Sequence, residues 1–108
     1  MNKLVVIDCA QIKGWPSFHD VFSEAFGFPD FYGKNRDAWI DCMTCLDEEF
    51  SKVFVGNGEF VTLQLDNVQE LKVNSPKILN EIFEMVGFVN YRRVEQGDLA
   101  VLAVSCSI

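Results

Sequence analysis

Apolar residues follow two different rhythms along this chain of 108 residues. From Leu4 to Ile7 they run without a break, as in a strand covered on both faces, and Asp8 ends the run. From Phe18 they recur at helical spacing. Phe18, Val21, Phe22, Ala25 and Phe26 make one core-facing stripe behind Ser17 as N-cap, and Gly27 sits where a left-handed residue closes a helix. Phe28 to Gly33 form an aromatic loop, after which Asn35 is a good N-cap for a second helix reaching about Leu46.

Val53 to Val55 read as a short extra edge strand before a glycine-punctuated turn ending at Gly58, and Phe60 to Leu65 alternate as a further strand. Ser75 and Pro76 open a third helix, with Ile78, Ile82, Met85, Val86 and Val89 at helical spacing. Gly87 inside it costs about 1 kcal/mol relative to alanine and marks a place where the helix could break. Leu99 to Val104 are a continuous apolar run and the last strand. Strands separated by helices pair in parallel through crossovers. The pattern therefore predicts an α/β fold, a small three-stranded parallel sheet flanked by helices, in a single domain over residues 1–108.

Composition agrees with a packed core. Half of the residues are apolar (49%) and ten are phenylalanine, which excludes a disordered acidic tail. Sixteen acidic side chains against nine basic ones give a net charge of −7. Such a surface repels DNA, RNA and anionic membranes, so neither nucleic acid nor membrane is an expected partner. The opening residues MNKLVVIDCA lack the apolar length of a signal peptide or a transmembrane helix. Four irregularly placed cysteines do not make a secreted disulfide framework, so a reduced cytoplasmic protein is expected.

Catalysis needs a nucleophile, a base or a metal in company, and the chain offers little of it. The single histidine, His19, lies on the first amphipathic helix and reads as a solvated or core-edge residue. Cys42 and Cys45 form a Cys-x-x-Cys inside a helix with Met43 and Thr44 between them. A thioredoxin-like motif would instead open a helix after a strand, and a zinc site would have to recruit Cys9 and Cys106 from the two ends of the chain. Buried small hydrophobes are the simpler role for these thiols. No glycine-rich phosphate loop occurs. The expectation is a protein that is not an enzyme and carries no cofactor or metal.

The informative stretch runs from Phe28 to Thr44. Asp37 and Asp41 are four residues apart on the helix that Asn35 starts, about 40° apart around its axis and about 6 Å along it. The plain reading is a solvated helix face on which Asp37 also complements the helix N-terminus. The functional reading is a pair of carboxylates held as a phosphate mimic for cations on a partner, with Asp30, Phe31, Tyr32 and Gly33 as an aromatic rim.

These residues resemble the signature of the barstar family of intracellular ribonuclease inhibitors. The match comprises Pro29, Asp30, Phe31, Tyr32, Gly33, Asn35, Asp37, Ala38, Trp39, Ile40, Asp41, Cys42, Met43 and Thr44. The rest of the chain agrees in the order of its elements. The resemblance implies a domain that plugs the active site of a basic ribonuclease, one to one, with its acidic helix and the loop before it. It implies Asp41 as the central anchor, Asp37 as its neighbour, Asn35 and Gly33 as polar rim groups, and Tyr32 against the enzyme, with Phe31, Asp30, Ile40 and Thr44 completing the contact.

An acid of the later helix, Glu81 or Glu84, would join it, with Glu84 the candidate contact. Phe31 stands where the family often has tyrosine, Arg36 sets a cation between Asn35 and Asp37, and Ile40 and Leu46 occupy places that are tryptophan in the family's best-known inhibitor. These departures imply a different target ribonuclease. The same scaffold could serve as immunity to an unrelated bacterial nuclease toxin, for example a contact-delivered one, since function lives in the site and not in the fold. The free protein is expected to be monomeric. Six of the sixteen acids (Asp30, Asp37, Asp41, Asp47, Glu48, Glu49) fall between residues 30 and 49.

Overall fold

A computed structural model describes residues 2–48 and 52–108. Its strands are β1 (Lys3–Asp8), β2 (Val61–Asp66) and β3 (Leu102–Cys106), and its helices are α1 (Trp15–Phe26), α2 (Arg36–Thr44), α3 (Val68–Asn74) and α4 (Pro76–Glu95). The sheet is wholly parallel in the order β1-β2-β3, with Val5 opposite Leu63 and Leu63 opposite Val104. The two crossovers carry α1 with α2 and α3 with α4. The three-stranded parallel sheet flanked by helices is thus present.

Val61, Leu63 and Leu65 of the central strand are buried, as are Ile7 and Leu102 on its neighbours, so one sheet face carries the core. The other face is open. Leu4 and Val6 are 59% and 50% exposed, which corrects the expectation that β1 is covered on both sides. An edge strand of so small a sheet has no second helical layer over its outer end, and an unbroken apolar run does not report this.

The helix starts follow local chemistry. Ser17 does not cap α1; it lies in the first turn, where its hydroxyl accepts from the backbone N–H groups of Lys13 and Gly14 at 2.7 and 3.1 Å. The helix begins two residues earlier, at Trp15, with Pro16 in a position that needs no N–H partner. At the other end Gly27 takes a left-handed conformation (φ 66°), and its N–H donates to Ser23 O.

Residues 53–55 form no strand, although Val55 is buried and its N–H donates to Leu46 O at 2.9 Å. The last strand starts three residues later than expected. Asn90 of α4 clamps its entrance: Oδ1 accepts from the N–H groups of Val101 and Leu102, and Nδ2 donates to Leu102 O. Leu99 is left exposed outside the clamp. Helix α4 runs through Gly87 without a break, and a Cβ there would meet nothing within 4 Å.

Candidate functional site

Helix α2 is positioned by what it buries. Trp39, Ile40, Met43 and Thr44 face inward, and Trp39 lies edge-on to Phe22 of α1 with ring centroids 5.4 Å apart. Burial of that side turns Asp37 and Asp41 outward, both of them exposed. Asn35 caps the helix as expected, its Oδ1 accepting from Ala38 N at 2.8 Å. Asp37 lies in the first turn, where the helix dipole favours a negative charge.

The helix runs to Thr44, two residues short of Leu46, and Cys45 closes it with its N–H donating to Cys42 O at 3.2 Å. Arg93 of α4, almost wholly buried, donates Nη1 to Thr44 O and pairs with Asp47 at 3.3 Å.

The loop before α2 is anchored by its own aromatics. Phe28 stacks on Phe26 and packs against Tyr32, and the Tyr32 hydroxyl shares a hydrogen bond with Nδ1 of His19. Burial raises the phenol above its ordinary range and holds the His19 ring below the usual histidine value. His19 is therefore a buried core residue and not a solvated one. Lys34, not Gly33, supplies the left-handed turn into α2, with φ 53°.

These anchors sort the residues of the motif into two groups. Asp30, Phe31, Gly33, Asn35, Asp37 and Asp41 lie on the outside, with Phe31 at 85% exposure. Tyr32, Ile40 and Thr44 are buried, and the Thr44 hydroxyl donates back to Ile40 O at 2.6 Å. Glu49 of the acidic run lies outside the described residues.

Helix α4 contributes what the sequence reading missed. A groove between α2 and α4 is lined by Arg36, Asp37, Ile40, Asp41, Phe88 and Arg92. Arg92 Nη1 donates to Asp41 Oδ1 at 2.8 Å. Arg36 Nε donates to Glu81 Oε2 at 3.2 Å, and the Arg36 guanidinium lies 5.9 Å from the centre of the Phe88 ring. Glu81 is therefore the acid of α4 that reaches α2, and Glu84 is exposed on the next turn. Helical periodicity in each element could not have paired Asp41 with Arg92, which are fifty-one residues apart.

The two thiols of the Cys-x-x-Cys carry no activation. Burial raises the pKa of both Cys42 and Cys45, and nearby acids add to it, so neither is disposed to ionise. Cys9 is pushed up to about 11, chiefly by burial. Among the described residues, no group of three or more His, Cys, Asp or Glu could hold a metal ion. Among the same residues, no helix is long and apolar enough to cross a membrane.

Two comparisons with known proteins find a match. The family model described as "Barstar (barnase inhibitor)" matches residues 2–102. A curated protein of Bacillus subtilis (strain 168), "Putative ribonuclease inhibitor YrdF", is 27% identical over 92 residues, covering 76% of this chain and 94% of that protein.

Proposed function

Because this chain belongs to the barstar family, we propose that it is a ribonuclease inhibitor that blocks the active site of a basic ribonuclease in a one-to-one complex. The exposed face of α2 is the blocking surface. Asp41 is its anchor and Asp37 its neighbour, standing where RNA phosphates would otherwise sit. Asp30, Phe31, Gly33 and Asn35 form the rim, and Glu84, exposed on α4, is the acid of the later helix that joins the contact. Tyr32, Ile40 and Thr44 act from beneath by fixing the loop and the helix.

The observation that carries this reading is the exposure of both carboxylates on a helix whose opposite side is locked into the core. A helix backbone so held loses little freedom on binding, which helps an interface anchor it carries to be effective. The protein acts without catalysis, as one domain of a cytoplasmic inhibitor or immunity protein, and is monomeric when free. The departures at Ile40 and Leu46, both buried, leave the outer surface without the tryptophans of the family's best-known inhibitor. They favour a target other than that inhibitor's, including the nuclease domain of a bacterial toxin.

Co-expression tests the reading. Cells producing barnase, or a basic nuclease domain of a contact-delivered toxin, survive when they also produce this chain and die when it carries Asp37→Ala with Asp41→Ala. Equal protection by parent and double variant, or protection by neither against any of these nucleases, contradicts it.

A further inference from the structure

The groove beside the acidic face alternates in charge. Asp41 is flanked by Arg92 at 2.8 Å, and Arg36 projects from the first turn of the same helix as Asp37, held between Glu81 and the Phe88 ring. Resting on the proposal that α2 is the blocking surface, we propose that Arg92, supported by Arg36, is a specificity-determining residue that receives a carboxylate of the partner. The partner surface then carries an acidic side chain set among its cations, and not cations alone.

Three observations lead there. A face meant only for cations gains nothing from an arginine on its anchor acid, since the like charge opposes both steering and contact. The pair is also dispensable as a tie between helices. Its side chains are 34% and 67% exposed, and ion pairs so exposed contribute little to stability. Buried Arg93 holds the end of α2 against α4 in any case, through Thr44 O and Asp47.

Third, the bond to Asp41 uses Nη1, whereas a guanidinium carries five N–H donors in a planar fork suited to carboxylates. Arg92 can therefore keep Asp41 and take a second carboxylate at once, while a partner cation takes the outer side of Asp41. The result is a closed ring of alternating charges. A ribonuclease active site offers the complementary pattern, because its chemistry sets a general acid or base beside the cations that hold phosphate.

The experiment takes barnase and the basic nuclease domains of contact-delivered toxins as probes, and with the one that the full chain inhibits most strongly it compares the full chain with its Asp41→Ala, Arg92→Ala and Arg92→Lys variants, with melting temperature recorded for each. Asp41→Ala is expected to weaken inhibition about a hundredfold and Arg92→Ala about tenfold. Arg92→Lys should recover only part of the loss, since an ammonium lacks the fork. All four proteins should melt within a few degrees of one another. If Arg92→Ala inhibits as well as or better than the parent while Asp41→Ala fails, the role given to Arg92 is overturned and the blocking surface stands. If the parent inhibits none of these nucleases, or Asp41→Ala inhibits as well as the parent, the surface itself is wrong and the inference falls with it.

Discussion

His19 and Tyr32 join α1 to the loop that delivers α2, through a hydrogen bond between Nδ1 of the ring and the phenol hydroxyl inside the core. The bond turns Tyr32 inward and so leaves Phe31, its neighbour, outside. Burial holds the pKa of His19 below 6.5, with Lys34 acting in the same direction and Asp20 against it. In the unfolded chain the histidine takes up a proton as the pH falls through about 6.5, whereas in the folded chain it does so only at lower pH. The unfolded state thus binds more protons in that window, so this contribution to stability is complete above 6.5 and is lost as the pH falls below it. Melting temperatures of the parent and of His19→Gln, followed from neutral pH downward, should converge on acidification. Parallel curves would contradict the role of His19.

Asn35 sets the start of α2 and with it the position of Asp37. Asn35→Ala should cost about 1 kcal/mol of stability, the usual effect of losing an N-cap, and is read by denaturant unfolding. It should also weaken inhibition, because fraying of the first turn releases Asp37 from its place. An unchanged unfolding midpoint would show that the bond to Ala38 carries no weight.

Gly87 is a stabilisation site. It lies in the interior of a 20-residue helix with open space around the missing Cβ. Gly87→Ala should raise stability by about 0.5–1 kcal/mol, through the unfolded chain's lost freedom and the better helix propensity. A lower melting temperature would contradict the open surroundings.

Much of this architecture is legible from the order of residues, and the exceptions have physical causes. Phe18, Phe22 and Phe26 repeat at helical spacing because all three are buried on one side of α1. Asn35 and Gly27 announce their helix ends because single residues there carry the capping chemistry. By contrast α3 is seven residues long with only Leu71 buried, which leaves no periodicity to read. The start of β3 depends on the side chain of Asn90, a tertiary contact that no window of the strand contains. In the site, the face bearing Asp37 and Asp41 follows from spacing. Tyr32 and Thr44 could not be told apart from surface residues by type alone, and the arginines of the groove arrive from another element.

Steering gives a kinetic prediction. A net charge of −7, with Asp30, Asp37, Asp41, Asp47 and Glu48 all exposed on one stretch, accelerates encounter with a basic enzyme. Raising ionic strength from low to physiological should slow association strongly and change dissociation much less, as read by stopped-flow mixing. The intramolecular partners of Asp41 and Glu81 moderate this effect, so Arg92→Ala should steepen the salt dependence of association. A rate indifferent to salt would contradict steering by this surface.

If the α2 face takes the place of RNA, the chain and RNA compete for one site on the nuclease. Binding of the chain to the nuclease it protects against in co-expression is followed while an uncleavable RNA oligonucleotide is added. Apparent affinity should fall in proportion to the oligonucleotide concentration, with no complex containing all three components. A stable ternary complex, with affinity unaffected by the RNA analogue, would contradict it.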